Sequence, residues 1–346
     1  MSSEITTINP IDYPNWDDLI KDTESDIFSN TVAWAKTLFE TYGYKPIYFT
    51  VFENNRIATL LPVIEVKSIL TGSRGVSLPF TDYCNPIIDD EKQFYDLFHY
   101  IDTFGKKRGW EYFEIRNGER YLHDNTPSSS YFGHILDLSG DERKIYSSCR
   151  ESTKRNIRKA IKHGVEVTLH ESLNAMLEFY KLHCITRKRQ GIPPQPFTFF
   201  KKIYEHIISK KQGIIVLGAN NKRIIAAAVF FHHGSTAFFK YGASNRDYQH
   251  LRANNLVMWE SIKHYSVNGF KHFCFGRTDL YNQGLRQFKV GWGAEENRIN
   301  YYRYDLRKGT FVEKRRRILP LHNRIFGNMP VPLLRATGRL LYRHIG

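Results

Sequence analysis

Lys289 follows Phe288 in the segment GFKHFCFGRTDLYNQGLRQFKVGWG, residues 269 to 293. A lysine ammonium held beside aromatic packing, near the end of a strand, can stabilise negative charge as it develops on an oxygen. Lys289 is therefore the first candidate for chemistry; the competing reading is a lysine whose stem packs on a core helix while its head reaches water. A second set of cations, Arg187, Lys188 and Arg189, precedes a Gly-Ile-Pro-Pro turn that starts at Gly191. At a helix end such guanidinium forks suit bidentate phosphate or carboxylate. A third basic set, Lys154, Arg155, Arg158, Lys159 and Lys162, surrounds a narrow apolar stripe of Ile157, Ala160 and Ile161. That pattern fits either a phosphate-binding face or a solvated linker helix.

Periodicity defines the elements that must position these groups. Phe273 and Phe275 alternate with His272 and Cys274 as a strand with one buried face requires, and Gly276 stops the run. After Gly284, the residues Leu285, Phe288 and Trp292 fall at helical spacing. Upstream, IIVLGANNKRIIAAAVFFHHGSTAFFKYGAS reads as a hairpin with Asn220-Asn221 at its tip and a third strand behind it, followed by a helix over 255–265. The first half has the same order: YKPIYFTVFENNRIATLLPVIEV turning at Asn54-Asn55, a helix over 91–108, then GWEYFEIRNG, which answers GFKHFCFGRT. The two series imply a duplicated α/β unit. A helix over 173–189 breaks at QGIPPQP, and a further helix runs over 199–208. The cuts fall at 1–138 for a first lobe, 139–306 for a second and 307–346 for a basic tail.

With 346 residues, 41% hydrophobic and 14% aromatic, the chain can bury a substantial core. Cys84, Cys149, Cys184 and Cys274 lack metal-ligand spacing, so no zinc site or disulfide framework is implied, and a reducing, cytoplasmic setting is the simplest fit. No signal peptide is recognisable, and the longest apolar run, Ile224 to Phe231, is far too short to span a bilayer. The net charge is +15, and residues 307–346 hold ten Lys or Arg against Glu313 alone. There PVPLLRATGRLLYRHI sets Leu333, Leu334, Leu340, Leu341 and Ile345 against Arg335, Arg339 and Arg343. This pattern fits an interfacial helix on the inner membrane face, or a helix docked on the protein's own surface, with Gly338 weakening it. Basic surface also suits tRNA, and charge alone does not choose.

The run KRNIRKAIKHGVEV, then TRKRQGIPPQP with Phe199-Phe200, then FGRTDLYNQGLRQFKVGWGAE, resembles in order and interval the FemABX branch of the GNAT acyltransferase superfamily, over residues 140 to 305. The first half matches more loosely, through its hairpin and SLPFTDYCNP. The resemblance implies an α/β fold of two tandem GNAT-like lobes with mixed sheets. It also implies transfer of an acyl or aminoacyl group to an amine of a cell-envelope precursor, peptidoglycan or exopolysaccharide, by direct attack. By the same resemblance Phe288 and Lys289 lie near the substrate carbonyl, and Thr186, Arg189 and Gly191 carry the motif whose arginine meets precursor phosphate. Tyr241 and Tyr281 are candidates to protonate the leaving group.

One departure concerns the donor. Acyl-CoA enzymes of this superfamily cradle pyrophosphate on a glycine-rich turn before a helix, and the matching stretch SNRDYQHLRANN has no glycine. Arg246, His250 and Arg252 would have to bind phosphate by side chain. The donor stays open between aminoacyl-tRNA, an acyl carrier and acyl-CoA; no cofactor is firmly implied and no metal is required. A non-catalytic membrane scaffold with a degenerate GNAT fold, or an RNA-binding module, is the alternative class.

Overall fold

The computed structural model describes residues 4–21, 23, 27–82, 84–88, 90–314 and 320–346. Tyr83 and Asp89, within a stretch read as loop and strand, and Arg315, Arg316 and Arg317 of the basic tail lie outside them. The chain forms two compact units. One comprises residues up to Tyr131 together with Arg298–Arg317 and Leu341–Gly346; the other comprises Phe132–Asn297 and Ile318–Leu340. In chain order the first unit holds β1 (Thr6–Ile8), α1 (Trp16–Lys21), α2 (Val32–Tyr42), β2 (Lys45–Glu53), β3 (Arg56–Ser68), β4 (Gly72–Val76), α3 (Glu91–Lys107), β5 (Tyr112–Arg116), α4 (Glu119–Leu122) and the start of β6 (Ser129–Asp137). The second continues with α5 (Glu142–Ser148), α6 (Glu151–Lys162), β7 (Glu166–His170), α7 (Leu173–Arg189), α8 (Phe197–His206), β8 (Gly213–Asn220), β9 (Arg223–His233) and β10 (Thr236–Ser244). It then forms α9 (Ala253–Val267), β11 (His272–Cys274), β12 (Thr278–Asp279), α10 (Gln283–Val290) and the start of β13 (Glu295–Asp305). The end of β13 and β14 (Thr310–Phe311) return to the first unit, while α11 (Pro320–Asn328) and nearly all of α12 (Val331–Leu341) belong to the second.

Each unit repeats one construction. Three antiparallel strands are followed by a helix that crosses to a fourth strand laid parallel to the third: β2-β3-β4, α3, β5 in one, and β8-β9-β10, α9, β11 in the other. This is the duplicated α/β unit expected from the paired sequence series. In the first unit Asn54 and Asn55 take φ of 50° and 60°, the left-handed pair that a tight type I′ hairpin needs. The second hairpin turns one residue later than the sequence suggests, with Asn221 and Lys222 at φ 49° and 62°. Asn220 is held in the strand because its side-chain amide donates to the carbonyls of His163 and Gly164.

The crossing helices bury the faces that their periodicity predicts. Asp90 caps α3 by accepting from the Gln93 N–H at 2.8 Å, and Phe94, Leu97 and Ile101 pack with Phe113 and Ile115 of β5. Leu256, Trp259 and Ile262 of α9 share a core with Phe273 and Phe275. Ile161 departs from the apolar stripe assigned to it: Ile157 and Ala160 are buried, but Ile161 is 58% exposed. All four cysteines are free and buried, and burial pushes the Cys149 thiol up to about 11.

The cut at residue 306 does not follow the contacts, because β13 pairs antiparallel with β5, Tyr302 opposite Ile115. Arg303 donates to Glu114 across that pair at 2.8 Å. Burial alone would raise the Glu114 carboxyl, but Arg116 and Arg303 outweigh it and lower its pKa to about 2. Nor do residues 307–346 form a separate body. Gly338, which weakened the helix in sequence, is where α12 meets the Pro193-Pro194 turn, since a Cβ there would come within 2.0 Å of the Pro194 carbonyl oxygen. Leu334 beside it is fully buried, whereas Leu333 and Leu340 face outward. Among the described residues no helix is long and apolar enough to cross a membrane.

His183 on α7 lies buried among Phe179, Tyr180 and Phe200, with its Nε2 2.9 Å from Gln195 Oε1. Burial first, and the nearby Arg187 second, push its pKa down to about 3. The unfolded chain accepts a proton near pH 6.5 that the folded chain refuses, so this contribution to stability is present above about 6.5 and lost as pH falls toward 3. Thermal melting followed from about pH 7.5 to about pH 4.5 should show a steep fall for the parent chain and a shallower one for His183→Gln. Equal slopes would remove His183 as the source.

Candidate active site

Helix α10 is the part of the second unit that carries the Phe288-Lys289 pair. Asn282 starts it by accepting from the Leu285 N–H at 3.1 Å. Its end is tied to α6, where Thr153 Oγ1 donates to the Gly291 carbonyl at 2.9 Å and Arg150 donates to Gln287. Lys289 is 2% exposed, and its ammonium donates to the carbonyls of Gly276 at 2.8 Å and Arg277 at 2.9 Å, in the loop that leaves β11. This differs from both readings of the sequence: the head group reaches neither bulk water nor an open cleft. The cause is the length of the side chain, which spans from α10 to the carbonyls where β11 ends. A buried ammonium needs such acceptors.

Two residues that the sequence did not single out complete this face. Glu296 of β13 takes Arg286 in a two-point pair, 2.8 Å from Nε and 2.7 Å from Nη2, and Arg286 lies over the Phe132 ring at 4.1 Å. His134 of β6 is fully buried with Nε2 3.0 Å from Glu296 Oε2. Burial and then the Lys289 charge lower the His134 pKa, which keeps the ring neutral, while the hydrogen bond from Arg286 lowers that of Glu296. Glu296 lies only in part in a strand-like pattern, and His134 stands in a run of mixed residues, so neither carried a positional signal.

A cavity of about 350 Å³ opens beside α10 at the N-terminus of α9. Its walls include Phe288 and Gln287 of α10, Ser152 and Asn156 of α6, and Asn245 and Arg252 before α9. The pair is thus split: Phe288 lines the cavity and Lys289 faces the sheet. Arg252 takes φ 61° at the head of α9, with no side chain capping the helix. The left-handed turn that glycine would favour is therefore made by an arginine, at a cost of about 1–2 kcal/mol. The first residues of α9, Ala253, Asn254 and Asn255, line the cavity, with the Asn255 N–H already donating to the Arg252 carbonyl at 2.9 Å. Arg246 and His250 are exposed and do not line it.

The remaining candidates divide by role. Thr186 is buried, donating from Oγ1 to the Ser244 carbonyl at 3.1 Å and accepting from the Ser244 N–H at 2.9 Å, so it clamps α7 to the end of β10 instead of offering its hydroxyl outward. Gly191 has φ 67°, and a Cβ there would come within 2.3 Å of the Asn323 carbonyl oxygen; it lets α11 pack on the turn. Arg189 is exposed, and among the described residues no hydrogen bond or ion pair holds it. Tyr241 is half-buried among Phe179, Phe199, Phe200 and His183, 5.4 Å from the Phe200 ring. Tyr281 is 74% exposed.

Residues 147–296 match the model of an acetyltransferase (GNAT) domain. The chain is similar in fold to FemX, with a TM-score of 0.67 at 14% identity, over 86% of this chain and 96% of that one. It is similar also to a tandem GNAT protein from the clavulanic acid biosynthesis pathway, with a TM-score of 0.57 at 8% identity, over 88% and 98% of the two chains. The C-terminal domain of a putative lysylphosphatidylglycerol synthetase from Agrobacterium fabrum gives 0.55 at 13% identity, over 83% and 89%. No curated protein matches by sequence. The GNAT domain match thus lies within a chain that has the tandem GNAT fold. In fold the chain is FemX-like.

Gly191→Ala should lower stability by about 2 kcal/mol or more, since it combines left-handed strain with a backbone clash. Arg189→Ala should change it by less than about 0.5 kcal/mol. Urea unfolding of both variants measures this, and a neutral Gly191→Ala would refute the packing role.

Proposed function

We propose that this chain transfers an acyl or aminoacyl group from an activated ester or thioester to an amine of an envelope or polysaccharide precursor. The observation that carries the reading is the N-terminus of α9, without a side-chain cap, opening on a cavity that Phe288 of α10 also lines, with the buried Lys289 ammonium one residue further along that helix. A helix N-terminus without a side-chain cap, with Arg252 beside it, suits a phosphate-bearing donor arm, which a nucleotide-linked thioester and a tRNA ester share. The amine nitrogen bonds to the donor carbonyl carbon and gives up a proton, the bond to sulfur or oxygen breaks, and the leaving group takes a proton; Tyr241 and Tyr281 are the candidates to donate to the leaving group, each regaining its proton from the amine. Phe288 shapes the wall where the acyl group lies.

Lys289 has two parts in this scheme. Its bonds to Gly276 and Arg277 fix the strand end against α10, and an ammonium there favours an oxyanion forming nearby. Arg189, exposed at the end of α7, is proposed to orient the acceptor through phosphate. The lysylphosphatidylglycerol synthetase named among the similar structures supports an aminoacyl donor and an envelope acceptor, and FemX supports the same class of fold.

Purified protein incubated separately with acyl-CoA and with aminoacyl-tRNA, each with an amine acceptor, should deacylate one of the two. Lys289→Met should slow that transfer by about 10²–10³-fold while the chain remains folded, with stability lowered by about 1–3 kcal/mol as two carbonyls lose their donor. Consumption of neither donor would leave the non-catalytic scaffold as the better reading. Full activity in Lys289→Met would remove the lysine from the chemistry.

A further inference from the structure

The hairpin between β3 and β4 ends in two large aliphatic side chains with nothing over them. Ile69 is 95% exposed and Leu70 is 64% exposed. The tip is nonetheless ordered, because the Ser68 hydroxyl accepts from the Leu70 N–H at 3.1 Å and from the Thr71 N–H at 2.9 Å. A turn built this way usually carries Gly, Asn or Asp, and Ile-Leu has no local role in it. The last residues of the chain are bound to the same tip within the first unit. Ser68 Oγ lies 3.0 Å from His344 Nδ1, and Thr71 Oγ1 donates to the His344 carbonyl at 2.8 Å. Buried Arg74 reaches the same carbonyl at 2.9 Å. Ile345 is thereby fixed beside the turn, itself 55% exposed.

Cations flank this apolar tip. Lys67 is more than half exposed beside it, and Arg343 is exposed in the bound terminal segment. A protein partner or a second copy would be recognised by a broad face, whereas three aliphatic side chains at a narrow tip, flanked by Arg343 and by Lys67, whose ammonium lies 3.7 Å from Glu65, match the depth and charge of a lipid headgroup layer. Aliphatic groups enter the acyl boundary and lysine and arginine meet anionic headgroups, each worth about 1 kcal/mol near such a surface. We propose that the β3–β4 tip, with Ile345 and Arg343, inserts into the surface of an anionic lipid bilayer. This reading is independent of the transfer reaction and stands or falls by itself.

The test uses the full chain in sedimentation with phosphatidylcholine vesicles and with vesicles in which about one third of the lipid is phosphatidylglycerol, at about 0.1 M salt. The parent protein should pellet with the anionic vesicles and stay in solution with the neutral ones. Replacing both Ile69 and Leu70 by Ser should reduce partitioning by about tenfold or more with unchanged thermal melting, because both side chains are exposed. Val267→Ser, a control on α9 at 78% exposure, should partition as the parent does. Equal partitioning of the hairpin variant, or no partitioning of the parent, overturns the proposal. So does self-association in the absence of vesicles that the hairpin substitutions abolish, since the tip would then meet another copy of this chain.

Discussion

An ammonium taken out of water must find acceptors, and in this protein it finds them on the backbone. Placing Lys289 at 2% exposure would cost several kcal/mol if it were unsatisfied. The carbonyls of Gly276 and Arg277 are available because the chain leaves β11 there, at a left-handed glycine with φ 69°. That attachment, with the bond from Thr153 to the Gly291 carbonyl, holds α10 in place. It turns Phe288 toward the cavity and brings Arg286 within reach of Glu296 and so of His134. The neutral state of His134 follows from burial and from the lysine charge together, so the protonation pattern of this face is a consequence of one helix position.

Around that helix, the second unit arranges an anion-friendly end of α9 without the residue usually used for it. Glycine would adopt the turn before the helix without strain; Arg252 adopts it at φ 61° and adds a charge to the cavity wall. The missing glycine therefore does not mean a missing turn. Strain of about 1–2 kcal/mol is offset by the remaining packing of the unit, in which Leu256, Trp259 and Ile262 are buried against β11.

The repeating strand and helix order was legible because periodicity and asparagine turns are local properties. Asn54-Asn55, the face of α3 and the matching runs of β5 and β11 all announce themselves within a short window. Lys289 was legible as a cation beside aromatics, but not as a buried one, since exposure depends on what lies opposite α10. Thr186 and Gly191 stood out correctly as special positions, yet their partners, Ser244 and Asn323, lie 58 and 132 positions away in the chain. Spacing cannot reveal contacts of that range. For the same reason the pairing of β13 with β5 was not legible, since Tyr302 and Ile115 stand 187 positions apart.

The return of β13 to β5 also governs how the polypeptide can be assembled. A nascent chain that has emerged only as far as residue 138 holds β5 with one edge unpaired and Glu114 without Arg303. Exposed strand edges invite pairing with other chains. The N-terminal unit therefore cannot close during translation until residues 298–305 have emerged, after the strands of the second unit from β7 to β12.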